Sequence, residues 1–322
     1  MPTSSPAAGL PVAVITRDGR WESVHRGMAS VVDSTGRVLV EVGEATTPVF
    51  PRSTLKPLQT LAVLELGTPL DELEIALATA SHSGSARHRE AVAAFLLHHQ
   101  ASSALLQCPA DWPLSSEEKV QMLLDGAPGP SRLAMNCSGK HASFLAACQH
   151  LGWDLDSYLE GDHPLQSHIA RTIEEWTGET ITHTSPDGCG APLHQISLRG
   201  LARGIAKLSS GSTPSAEKII TAVGRHPWAI AGEGHPNTVT IETLGGIAKI
   251  GAEGLVVIGL PSGIAVAVKI LDGSMRATTP VALWLLESVG AITSDQRDRL
   301  LEHIAEKTYG AGQIVGGLQV IL

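Results

Sequence analysis

The chain has 322 residues, 43% of them hydrophobic and 17% charged, with a net charge of −9. That composition is typical of a globular protein with a large core. The negative charge argues against nucleic acid or an anionic membrane as the main partner, and no run of about 18 or more uncharged apolar residues predicts a membrane span. Met1 to Leu10 lack a basic stretch followed by an apolar core, so no signal peptide is expected and a cytoplasmic location is. In that setting the four cysteines, Cys108, Cys137, Cys148 and Cys189, are not expected to form a disulfide framework.

In chain order, Pro11–Thr16, Ala29–Val32 and Val38–Val42 are β-branched runs separated by Asp-Gly and Ser-Thr-Gly turns, and they predict strands. The segment Ser53–Glu65 switches to helical periodicity. Further helices are predicted over Asp71–Thr79, Ala86–His98, Ser115–Leu124, Lys140–Leu151 and Pro164–Thr177, the third opened by Ser-Ser-Glu-Glu. A helix near Leu193–Ser209 and another near Ser215–Arg225 follow. Strands return at Gly246–Ile250, Gly254–Ile258 and Ile264–Lys269, and helices Thr279–Val289 and Ser294–Thr308 close the chain. Strands at both ends and helices between predict a mixed α/β fold. Residues 1–60 and 195–322 form its sheet-containing part, and residues 61–194 a mainly helical insertion within a single domain spanning 1–322.

Small polar residues and glycine recur where elements begin or end, where catalytic groups are often held. Ser53 precedes Lys56 by three residues, which puts both on one helical face. A neutral lysine there could take the serine proton. Alternatively, Ser53 is a helix N-cap and Lys56 a solvated surface residue. Ser81, in Ser81-His82-Ser83-Gly84, follows a helix or caps the next one. Lys249 lies on a strand just before Gly251, where the missing side chain would let a substrate approach. It could equally be an edge-strand charge that blocks aggregation. A Ser-x-x-Lys, a Ser-x-Ser and a Lys-x-Gly in this order resemble the layout of penicillin-recognising serine enzymes and serine-dependent glutaminases. A second cluster combines Asn136-Cys137-Ser138-Gly139-Lys140-His141 with Asp187-Gly188-Cys189-Gly190. Two cysteines in Gly-flanked polar turns, with His and Asp close in sequence, suggest a zinc site. A thiol activated by Lys140 or His141, or tight packing alone, are the alternatives.

Together with His25-Arg26-Gly27, the stretch Pro51–Gln59 and Lys249-Ile250-Gly251-Ala252-Glu253-Gly254, these motifs resemble the rhizobial-type, or class 3, L-asparaginases of the asparaginase II family. The match follows the family's order from about residue 12 to the end. The resemblance implies a serine β-lactamase/glutaminase-like fold, a sheet flanked by helices with an inserted helical subdomain. It also implies hydrolysis of L-asparagine to L-aspartate and ammonia, and a homodimer. Two serine–lysine tandems are implied, Ser53 with Lys56 and Ser81 with Lys249, Lys269 being a rival to Lys249. The implied cofactor is zinc, held by Cys137, Lys140 and Cys189 with Asp187 close by. Arg52, His82, Asn136 and Asp187 are the expected substrate-binding residues. Glutaminase or another amidohydrolase activity of the same fold, a zinc-dependent binding protein without catalysis, and a cysteine hydrolase using Cys137 are the rival functions.

Overall fold

The computed structural model describes residues 9–322; residues 1–8, most of the stretch expected to lack a signal peptide, lie outside the described residues. The chain opens with strands β1 (Leu10–Arg17), β2 (Arg20–Val32), β3 (Val38–Val42) and β4 (Pro48–Val49). A 3-10 turn, Arg52–Leu55, leads into α1 (Lys56–Glu65). Helices α2 (Glu72–Thr79), α3 (Ala86–His98), α4 (Ser116–Leu124), α5 (Ser138–Leu151) and α6 (Pro164–Thr177) follow. Short strands β5 (Thr184–Pro186), β6 (Pro192–His194) and β7 (Ile196–Ser197) precede α7 (Leu198–Ser209), α8 (Pro214–Arg225), α9 (Pro227–Ala231) and α10 (Pro236–Leu244). The remainder is β8 (Ile247–Gly251), β9 (Leu255–Gly259), β10 (Ala265–Ile270), α11 (Thr278–Ser288), α12 (Ser294–Ile304), β11 (Lys307–Gly310) and β12 (Gln313–Val320).

The main sheet has eight strands in the order β11-β12-β1-β2-β10-β9-β8, with β3 also pairing β2; its pairings are antiparallel. Residues Leu255–Gly259 and Ala265–Val268 are buried without alternation, which requires cover on both faces of the centre. α7 packs across β2, β9 and β10, and α11 across β2, β9, β10 and β12. α7 comes so close that a Cβ on Gly259 would lie 2.0 Å from Ser209 Oγ. In the helical part, α1 is buried from Lys56 to Leu64, as expected of a helix surrounded by others, and it packs on α2, α5, α6, α7 and α8. Among the described residues no helix is long and apolar enough to cross a membrane.

Several expected boundaries are corrected. β2 starts at Arg20 rather than Ala29, because the Asp18-Gly19 pair makes a tight turn with both residues at positive φ (47° and 73°) and pairs the charged run Arg20–Arg26 with β1. The helix expected from Leu193 starts at Leu198, since Pro192–His194 pairs β5 and Ile196–Ser197 pairs β4. The segment between Arg225 and Gly246 carries no predicted element, yet Pro227 and Pro236 each open a short helix at a first-turn position that suits proline. The helix expected through Thr308 ends at Ile304 and the chain closes with a hairpin. Ala311 (φ 47°) and Gly312 (φ 80°) make its turn, and β12 pairs β1 in register Val14↔Gln319.

Candidate active site

Ser81 sits just beyond the C-terminal end of α2, with its amide donated to Ile230 O at 2.9 Å. Its hydroxyl is the meeting point of two lysines from different layers. Lys56 Nζ, from the first residue of α1, lies 2.9 Å from Ser81 Oγ and also donates to Ala80 O. Lys249 Nζ, from the middle of β8, lies 2.8 Å from Ser81 Oγ and donates to Ile250 O at 2.9 Å. Both lysines are buried. Burial, reinforced by the neighbouring Lys56 amine, holds Lys249 well below the ordinary lysine range. A neutral Lys249 has a lone pair for the Ser81 proton while one of its N–H groups serves Ile250 O, and Lys56 can donate to the other side of Ser81 Oγ.

The bland readings of these residues do not hold. Lys56 is not solvated, and Lys249, on an edge strand, points inward. Neither serine caps a helix: α1 and the 3-10 turn have no side-chain cap, and Ser85 caps α3. The first tandem takes a different form from the one expected. Lys56 reaches Ser81, and among the described residues no hydrogen bond joins it to Ser53. Ser53 is half-buried in the 3-10 turn, and its N–H, at the start of that turn, has no intrahelical partner. Gly251 is not an opening for substrate. A Cβ there would stand 2.9 Å from Pro51 O, 3.2 Å from Thr54 Cγ2 and 3.3 Å from Arg52 Cβ, so the glycine seats the turn that carries Arg52 and Ser53.

Arg52 has φ +51°, a conformation that a non-glycine residue adopts at a cost and that clusters at functional sites. Its Nε donates to Asp187 Oδ1 at 2.7 Å. Both line a cavity of about 560 Å³ whose wall also includes Phe50, Gln195, Glu253 and Lys269. Lys269 donates to the Glu253 carbonyl, and burial lowers its pKa. The rival lysine thus belongs to the cavity wall, while Lys249 belongs to Ser81. Gln195 carries no signal in the sequence. A lysine within the apolar run of β10 is the signal that could have marked Lys269 as a wall residue.

His82 is turned away from the cavity. Gly84 N–H donates to its Nδ1 at 3.2 Å, so Nε2–H faces Ser138 Oγ at 2.8 Å. Its ring stacks on His88 at 4.9 Å, and burial holds it neutral. Asn136 accepts from His82 N–H at 3.2 Å and, through Oδ1, from the Cys137 thiol at 3.2 Å. Both residues position the loop after Ser81. His25, from the third motif, spans Asp272 at 2.6 Å and Arg276 at 2.8 Å and ties β2 to the segment after β10.

Cys137, Lys140 and Cys189 are all buried. Lys140 Nζ lies 3.0 Å from Cys189 Sγ. The adjacent Cys137 thiol and then Lys140 favour the charged form of Cys189 and hold its thiol far below its ordinary range against the opposing effect of burial. Cys137 is pushed up by the neighbouring Cys189 and by burial. Burial pulls Lys140 down, but Cys189, Cys137 and Asp187 together outweigh it and the net shift is upward. The next residue, His141, bonds Tyr158 OH through Nδ1 at 2.7 Å and has a buried Nε2 with no partner among the described residues.

The L-asparaginase II family profile matches residues 13–320. No curated protein matches the chain. Among solved structures, the chain is similar to a crystal structure of a β-lactamase from Mycobacterium bovis at 16% identity and a TM-score of 0.43, over 86% of this chain and 95% of that one. With the family's matched span running from β1 to β12 and including each motif of the lysine–serine centre, the chain belongs to the L-asparaginase II family.

Proposed function

We propose that the protein hydrolyses L-asparagine to L-aspartate and ammonia through an acyl-enzyme on serine. The observation that carries this reading is the Ser81 hydroxyl held between two buried lysine amines at 2.9 and 2.8 Å, a proton path with no evident structural purpose. Ser53 Oγ attacks the side-chain amide carbon and gives its proton to Lys56, one helical turn away. Lys56 passes a proton to Ser81 Oγ as Ser81 protonates the departing ammonia, and Lys249 holds Ser81 in line. Water then attacks the aspartyl ester by the reverse path. The N–H of Ser53, left without an intrahelical partner at the start of the turn, suits the developing oxyanion. The cavity offers both signs of charge. Arg52 and Lys269 suit the α-carboxylate of an amino acid, and Asp187 and Glu253 its ammonium group.

A second reading has Ser81 as the nucleophile and Lys249 as its base. It is favoured by the fact that both amines converge on Ser81. Ammonia release from L-asparagine by the wild type, Ser53→Ala and Ser81→Ala tests the reaction, and mass mapping of the acylated serine separates the two readings. Failure of the wild type on L-asparagine, with turnover of L-glutamine, would move the assignment to glutaminase. One methylene is worth only about 1–3 kcal/mol of discrimination in a pocket.

The donor set of Cys137, Lys140 and Cys189 fits zinc. Cys189 is poised as a soft thiolate, Cys137 and the Lys140 ammonium beside it would give up their protons on binding, and the orphaned His141 Nε2 lies next in sequence. When bound, the ion would supply fixed positive charge two residues from Asp187 and hold together the loops that carry Cys137 and Cys189. The homodimer implied by the resemblance is retained as part of this proposal and is tested by sedimentation.

A further inference from the structure

A second cluster of metal-ligating side chains lies apart from the lysine–serine centre, where α2 starts and α3 ends. Glu74 is a buried carboxylate, 4% exposed. Its Oε1 faces His98 Nδ1 at 2.7 Å, and its Oε2 faces His99 Nε2 at 3.1 Å. Oε2 also accepts the Asp71 N–H at 2.9 Å, the reciprocal half of the α2 capping box. The three ligand atoms lie within 4.8 Å of one another.

Consecutive residues of a helix do not face the same partner. The two histidines do so here because the chain leaves helical geometry at His99, the residue that ends α3, and Gln100 turns at φ +56°. That is a strained conformation of the kind found at binding sites. Phe95 supports the His99 ring edge-on at 5.4 Å. The cluster borders a cavity of about 570 Å³ that Asp71, Gln100, Gln149 and His150 also line, so water can reach it.

We infer that Glu74, His98 and His99 bind a borderline-soft divalent cation of the zinc class, with water completing the shell. Two imidazoles and one carboxylate are a donor set that such ions select over magnesium or calcium. In a tetrahedral zinc shell with bonds of about 2.0–2.1 Å, neighbouring ligand atoms stand roughly 3.3 Å apart. The Glu74–His99 spacing of 3.1 Å nearly meets that. The Glu74–His98 spacing of 2.7 Å must open slightly, and the His98 side chain, 61% exposed, is free to swing. Because α2 runs directly into Ser81, a metal here pins the open end of the α2–α3 hairpin whose closed end carries Ser81–Ser85.

The test uses stripped protein reloaded with zinc alone. Zinc per chain is counted after gel filtration, and thermal midpoints are read with and without zinc for four proteins. These are wild type, His98→Ala/His99→Ala, His98→Ala, and Cys137→Ala/Cys189→Ala. The wild type should hold one zinc more than the double histidine variant. A zinc-induced rise in midpoint should persist in the cysteine variant, and the rise in the double histidine variant should be smaller than in the wild type by that amount. His98→Ala alters an exposed side chain and keeps the fold testable; it should weaken zinc binding at this site at least tenfold. Equal zinc counts and equal zinc-induced shifts in the wild type and both histidine variants would overturn the proposal, leaving Glu74 a plain hydrogen-bonded carboxylate.

Discussion

Replacing Gly251 by alanine tests whether the active-site turn is seated on a missing side chain. The new Cβ would meet the Pro51 carbonyl oxygen at 2.9 Å, Thr54 Cγ2 at 3.2 Å and Arg52 Cβ at 3.3 Å. Two of these are backbone or Cβ atoms of the turn itself, with no flexible tip to yield. Ordinary contact distances begin near 3.4 Å, so the turn must retreat by roughly half an ångström along the Pro51 carbonyl direction. Overpacking of this kind costs about 1–3 kcal/mol, while a misplacement of about 1 Å costs about 100-fold in rate. Half that displacement gives an expected loss of about tenfold in kcat for ammonia release, with a thermal midpoint lower by a few degrees and unaltered far-ultraviolet dichroism. Gly224→Ala is the control: it lies in α8, and nothing would stand within 4 Å of its Cβ, so activity should hold. Wild-type kcat and KM in Gly251→Ala would refute the claim that this glycine positions Arg52 and Ser53.

Three further outcomes are expected. With Lys249 as the base of Ser81, Lys249→Met should lower kcat by about 10²–10⁴-fold, the usual worth of a positioned proton-transfer group, and by less where it only holds Ser81 in line. In the wild type, activity should fall as pH drops through the lowered pKa of Lys249 and the amine becomes charged, and the residual rate of Lys249→Met should lack that limb; an unchanged limb would place the titrating group elsewhere. Asp187→Asn removes the charge partner of Arg52 and should raise KM for L-asparagine roughly tenfold or more with a smaller change in kcat. Chelating the proposed zinc should likewise act on KM more than on kcat, and loss of kcat alone would contradict both. Stability should fall in acid. Burial lowers His88 and His235 from 6.5 to about 4, so the unfolded chain binds more protons than the native one in that window. The stability they contribute is complete above pH 6.5 and is lost as pH falls through about 4. Thermal midpoints across that range measure it, and His88→Gln should flatten the slope.

How much of this was legible in the sequence varied with the kind of interaction. Helical periodicity placed α2, α3, α4, α6 and α8 to within about two residues, because each has a polar cap or a proline at its start. The turn at Asp18-Gly19 was legible, since both residues tolerate positive φ, but the charged first half of β2 that returns from it was not. The one at Ala311-Gly312 uses the same geometry with an alanine where asparagine is usual, so its two strands passed unseen. Site chemistry was legible as residue types but not as partners. Spacing put Lys56 beside Ser53 on one helical face. Its actual contact is Ser81, a pairing across α1 and the end of α2 that no local period encodes. Gly251 was visible as a place without a side chain, but what fills the space, the turn Pro51–Thr54, is a tertiary fact.

The two amines at Ser81 close chain loops of very different length. One links positions 25 residues apart, the other positions 168 apart. That single oxygen therefore joins the first helix, the second helix and an edge strand of the sheet. Edge strands are among the first parts of a sheet to open, and local opening needs less free energy than global unfolding. Fraying of β8 alone would withdraw Lys249 and silence the centre while the helices stay folded. Turnover is thus a sensor of how firmly β8 stays paired to β9. As denaturant rises, it should disappear ahead of the loss of helical signal.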